Sequence, residues 1–115
     1  MFVLKGILRA KSQEKILLYL LLRDTGYGSA IAEFFALSTN SVHKQLLRLE
    51  EDSVVVGQSV GRLREYQLNP RYPFSVPLRA LLKSALAVYP DTLVRKLVMS
   101  RQRPRKSGKP IDVSR

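Results

Sequence analysis

Val42, Leu46 and Leu49 stand at i, i+4 and i+7 within LSTNSVHKQLLRLEE, residues 37–51. That spacing puts all three on one side of a 3.6-residue helix. Ala36 and Leu37 precede the run as a turn, and Ser38 is placed to cap the helix, which the pattern carries to about residue 52. The period then changes. Val54-Val55-Val56 and residues 63–68 read as strands, separated by Gly57-Gln58-Ser59-Val60-Gly61-Arg62. Two glycines and a serine near the tip suit a hairpin with a flexible end. Helix then hairpin predicts a mainly α chain with a small β-hairpin.

The other sides of the helix carry Thr39, Asn40, Ser41, His43, Lys44 and Arg48. A buried helix has no need of such amide, hydroxyl and basic groups. A helix lying in the major groove of DNA does, because they reach base edges and phosphates. The ordinary alternative is a solvated helix face.

Upstream, residues 1–11 mix apolar and basic positions and read as a short helix or an arm. Ser12 is a cap candidate for a helix to about Arg23. The run 16–22 is apolar on every face, which predicts a helix covered on more than one side. Leu dominates that run, which disfavours a buried strand. Asp24-Thr25-Gly26-Tyr27-Gly28 reads as a turn, followed by a helix over 29–35 with Ile31, Ala32 and Phe35 facing inward. Downstream, residues 69–74 are a proline-bracketed connector and Ser75 is placed to cap a fourth helix with Pro77 in its first turn. Pro90 ends that helix and Asp91 caps a shorter one. From Ser100 onward the composition is that of a disordered segment.

The chain has 115 residues, one domain's worth, with a net charge of +11. Residues 95–115 hold eight Lys/Arg against one Asp, or +7, leaving twelve against eight, or +4, for the rest. Such a bias points to a polyanion, either nucleic acid or an anionic membrane surface. There is no cysteine and one histidine, which excludes disulfides, thiolate ligands, a Cys nucleophile and a His-rich zinc site. The longest apolar run is seven residues, too short to span a bilayer, and no signal peptide is recognisable, so a cytoplasmic protein without a membrane partner is expected.

Residues 31–56 (IAEFFALSTNSVHKQLLRLEEDSVVV) and 61–70 (GRLREYQLNP) resemble the winged helix-turn-helix domains of ArsR/MarR-like transcriptional regulators. The ending YQLNPRYPF, the leucine-rich helix after it and the segment RPRKSGKP resemble a narrower group of small winged-helix proteins encoded beside minimal nucleotidyltransferases. The resemblance implies a winged helix-turn-helix fold over 1–72, C-terminal helices over 73–99 that dimerise, and a basic tail over 100–115. It implies a regulator that binds double-stranded DNA, with a nucleotidyltransferase partner as the alternative; nonspecific architectural DNA binding is a third reading. Family members often carry Gly where this chain has Ala36 and Ser53, so those positions, if left-handed, cost on the order of 1 kcal/mol each. The metal-sensing members use Cys and His ligands that this chain lacks; no cofactor is expected.

The DNA-contacting candidates are therefore Ser38, Thr39, Asn40, Ser41, His43, Lys44 and Arg48 on the helix, with Arg62 and Arg64 on the hairpin along the backbone or in the minor groove. Tyr27, Gly28 and Ser29 offer either a helix start that binds phosphate or a simple serine cap. Arg101, Arg103, Arg105, Lys106 and Lys109 are candidates for a minor-groove arm, a solubilising tail or a protein-docking segment. The stripe over 76–89, with 16–22, is expected to form a homodimer interface through Leu17, Leu20, Leu78, Leu81, Leu82, Leu86 and Tyr89, or else to complete one core. Glu50, Glu51 and Asp52 look like a solvated acidic patch. No nucleophile motif, phosphate-cradling glycine loop or metal spacing appears, so no enzyme is expected.

Overall fold

The computed structural model describes residues 1–102, with side-chain surroundings through Val98. The basic segment beyond residue 102, including Arg103, Arg105, Lys106 and Lys109, lies outside the described residues, as do the surroundings of the Arg101 side chain. The elements run α1 (Lys11–Arg23), β1 (Gly26–Tyr27), α2 (Gly28–Phe35), α3 (Thr39–Glu51), β2 (Val55–Val60), β3 (Leu63–Leu68), α4 (Ser75–Leu86) and α5 (Asp91–Gln102).

The all-apolar run explains the architecture. Ile16, Leu17, Leu18, Tyr19, Leu20 and Leu21 are all buried, because α1 is contacted by every other helix and by β1 and β3. The same core takes Ile31 and Ala32 from α2, Val42, Leu46 and Leu49 from α3, Val55 and Leu68 from the hairpin, and Leu82, Ala85, Tyr89 and Leu97 from the C-terminal region. Phe35 is half-buried and packs against it. The predicted helical reading of 16–22 holds.

Three predicted caps differ. Ser12 is buried inside α1, which starts at Lys11 after an extended Ala10. The side chains of the first turn face the arm instead: Gln13 Oε1 accepts from the Arg9 amide at 3.0 Å, and Glu14 takes the Val3 and Leu4 amides at 2.9 and 2.5 Å. Ser75 is the first residue of α4, whose turn is already begun by the Ser75 amide bonding to the Tyr72 carbonyl at 2.9 Å. Asp91 likewise lies inside α5, because the Pro90 carbonyl accepts from Leu93 and Val94. The helix also continues two residues past Ser100, to Gln102. Ser38 does cap α3: its hydroxyl accepts the Ser41 amide at 3.2 Å.

The turns flanking α3 are left-handed at the two suspected positions. Ala36 has φ 55° and Ser53 has φ 65°. In each case the next residue's amide closes a six-residue ring, Leu37 to the Ala32 carbonyl at 2.8 Å and Val54 to the Leu49 carbonyl at 2.9 Å. These are Schellman closures made without glycine.

The hairpin is longer than expected. Val55 through Val60 pair antiparallel with Leu68 through Leu63, so only Gly61 and Arg62 form the loop. Gly61 has φ 61° and Arg62 does not share that positive φ, the pattern of a II′ turn with Gly first. Gly57, Gln58 and Ser59 look like a loop, yet cross-strand pairing carries them into the strand. A third strand, β1, pairs Gly26 with Tyr66 and Tyr27 with Glu65, giving the order β1-β3-β2.

The dimerisation residues divide. Leu17, Leu20, Leu82 and Tyr89 are buried in the chain's own core, so they are not free to meet a partner. Leu78, Leu81 and Leu86 are half-buried, while Phe74, Val76 and Val88 are exposed.

At the core's end the fully buried Glu14 also accepts a short hydrogen bond from the Tyr89 hydroxyl. Burial and that bond push the Tyr89 phenol well above its ordinary 10.0. A folded-state pKa raised above the unfolded one gives stability that is complete below pH 10 and lost as pH rises beyond it. Wild type should therefore lose about 1.4 kcal/mol per pH unit above 10 relative to Tyr89→Phe. Urea melts of both proteins between pH 8 and 11 measure the gap; a gap that stays constant refutes the linkage. Lys15, whose ammonium lies 5.4 Å from the Tyr89 ring centre and whose pKa burial lowers, is common to both proteins.

Candidate nucleic-acid interface

Helix α3 buries one stripe and exposes the rest. Ser38, Thr39, Asn40, His43 and Lys44 are exposed, and Ser41 and Arg48 are half-buried. Among the described residues, the side chains of Asn40, His43 and Lys44 make no hydrogen bond or ion pair. Leu47, 57% exposed, stands on the same face. Its departure from the Val42, Leu46, Leu49 stripe was the available signal for it.

The structure brings three elements around the start of this face. A cleft of about 320 Å³ is lined by Tyr27, Gly28 and Ser29 at the start of α2, by His43, and by Arg62, Leu63, Arg64 and Tyr66 of the hairpin. Gly28 is buried, and a Cβ there would overlap the His43 ring, so a glycine lets α3 approach α2 this closely. Ser29 is not a cap: α2 starts at Gly28, and its N-cap Tyr27 supplies no side-chain bond. Uncapped amides, an imidazole and the Arg62 guanidinium around one cleft form a setting that suits a phosphate.

The candidate cations are not equivalent. Arg62 sits at the hairpin tip and, among the described residues, has no hydrogen-bond or ion-pair partner. Arg64 is hydrogen-bonded and ion-paired to Glu50, which raises its pKa. Arg48, half-buried, lines a second cleft, of about 470 Å³, with Ile7, Arg9, Gln13, Glu51 and Asp52. The sequence links Arg64 to no carboxylate, since Glu50 lies fourteen residues away. No cluster of three or more His, Asp or Glu able to hold a metal exists among the described residues.

No protein-family model matches the chain, and no curated protein matches it. Solved structures do. A variant of ZitR from Lactococcus lactis superposes with a TM-score of 0.59 at 19% identity, covering 86% of this chain and 65% of its own. The adhesin competence repressor AdcR from Streptococcus pyogenes gives 0.55 at 20%, covering 85% and 74%. Wild-type ZitR in complex with DNA gives 0.50 at 17%, covering 85% and 77%. ZitR is described as a zinc-responsive MarR family member. The fold is a winged helix. In those terms α2 and α3 are the helix-turn-helix and β2–β3 is the wing. The chain spans just under two-thirds of the length of the first of these neighbours. No helix among the described residues is long and apolar enough to cross a membrane.

Proposed function

We propose that this chain is a homodimeric, sequence-preferring, double-stranded DNA-binding protein that regulates transcription. One observation carries the reading. The exposed face of α3 presents the side chains of Asn40, His43 and Lys44 beside Arg62, all without a hydrogen-bond or ion-pair partner among the described residues, in a fold shared with a protein seen bound to DNA. With α3 in the major groove, Asn40 has the donor–acceptor pair to read adenine, and Lys44 reaches guanine or phosphate. Arg62 lies on the backbone or in the minor groove, and the cleft behind His43 receives a phosphate. A two-fold dimer sets two such helices on half-sites about one helical turn apart. The exposed Phe74, Val76 and Val88, with the half-buried Leu78, Leu81 and Leu86, support an interface on the α4 side. With no cysteine and a single histidine, the chain has no counterpart of a Cys/His sensor site, so the reading includes no metal effector.

Fluorescence anisotropy with labelled genomic duplexes tests the reading. The expected result is saturation at two chains per preferred duplex. Four neutralised phosphates would weaken binding about a hundredfold between 50 and 200 mM salt. Affinity indifferent to salt would remove DNA from the proposal, and equal affinity for every fragment would remove sequence preference.

A further inference from the structure

Arg64 joins three elements. On one side it donates from its guanidinium to Glu50, in the last turn of α3. Across the hairpin it is paired with Ser59, which puts Gly57 diagonally opposite on the same face. A Cβ built on Gly57 would come within 2.6 Å of Arg64 Nε and 3.0 Å of its Cζ, so the side chain lies flat over the one residue of β2 that has no side chain of its own. The guanidinium carbon also stands 5.9 Å from the centre of the Tyr66 ring. Arg62, two residues earlier, has none of these ties among the described residues.

We propose that Arg64 is a positioning residue: it latches the wing to the recognition helix through Glu50, over the space left by Gly57, and so sets where Arg62 stands relative to Asn40, His43 and Lys44. Its consequence for a duplex rests on the DNA-binding reading above; the latch itself does not. The charge balance separates this role from a phosphate contact. Arg64 already holds a carboxylate, so it releases no counterion when DNA binds, whereas Arg62 does. Glu50 gives the sharper contrast. Removing an acid beside a polyanion ordinarily strengthens binding, while removing the latch weakens it.

The test uses the full chain, its Arg64→Gln, Glu50→Gln and Arg62→Ala variants, and the exchanged pair E50R with R64E. Arg64→Gln and Glu50→Gln should each weaken duplex binding about two- to fivefold, the range open to an exposed ion pair. Combined, they should be no worse than one alone. Neither should change the slope of log affinity against log salt, while Arg62→Ala should reduce it by about 0.9. In the DNA-free protein, amide exchange over residues 55–68 should quicken in both single variants and return to the wild-type rate in the exchanged pair. Tighter binding by Glu50→Gln overturns the proposal, as does an Arg64→Gln slope loss equal to that of Arg62→Ala. Hairpin exchange unchanged in the single variants overturns it too. If the wild type binds no duplex, the DNA reading fails by itself, and exchange in the free protein still decides the latch.

Discussion

Replacing Asn40 and Lys44 together by alanine is expected to lower affinity for the preferred duplex about thirtyfold or more and to leave the melting temperature close to that of the wild type. The two residues are four apart on α3, so they share a face, and both are exposed with no partner among the described residues. Each well-made contact to a base edge is worth about 1–3 kcal/mol, so two are worth about 2–6 kcal/mol, a factor of roughly thirty or more. The fold loses little, because the helix is held from its other side by Val42, Leu46 and Leu49, and Ser38 still caps it. The components separate by type. Asn40→Ala alone should flatten the preference at one base position with the salt slope intact, whereas Lys44→Ala, if its ammonium meets phosphate, should also reduce the slope by about 0.9. Arg48→Ala should cost less than either, since Arg48 is half-buried and lines the cleft shared with Arg9, Glu51 and Asp52. Anisotropy titrations over a salt series read all of these. Undiminished binding by the double variant would take the recognition role away from α3.

Glu14→Ala has the largest expected effect on folding, a loss of about 3–5 kcal/mol, because it removes the acceptor shared by several buried donors. Glu14 is fully buried, and its two oxygens take the amides of Val3 and Leu4 and the hydroxyl of Tyr89, seventy-five residues downstream. Truncation orphans all three donors at once, and each buried unsatisfied donor costs about 1–3 kcal/mol. A domain of this size holds only about 5–15 kcal/mol in total, so the melting temperature should fall by roughly 15–30 °C. Glu14→Gln keeps the shape but turns an NH2 toward groups that are themselves donors, so it should rescue only part of the loss. Thermal melts by circular dichroism measure both variants. A Glu14→Ala protein melting within a few degrees of wild type would show that the arm's attachment contributes little.

Asn40, Lys44 and Glu14 mark how far the sequence could be read. The exposure of Asn40 and Lys44 was legible because helical period sets them off the Val42–Leu46–Leu49 stripe, and the Ser38 cap because its bond to Ser41 spans three residues. The α1 helix was legible because leucine on every face admits little else. Glu14 carried no such signal: an acid near a helix start looks like an ordinary first-turn charge, and its partners come from two distant segments. Strand β1 was hidden for the same reason, since Gly26 and Tyr27 are extended only because Tyr66 and Glu65 lie alongside. Leu17, Leu20, Leu82 and Tyr89 looked available to a partner because an apolar stripe does not reveal which molecule covers it; here the chain's own core covers these four.

By itself, then, the sequence determined the helices, the hairpin and the polar character of α3, because helical period, turn chemistry and capping act over a few neighbouring residues. Tertiary structure alone decided that Arg64 belongs to Glu50 while Arg62 has no partner among the described residues, that His43 closes against Gly28, and that Glu14 anchors the arm. Each of those depends on which remote segments a compact core brings within reach of a hydrogen bond, and local pattern does not encode that distance.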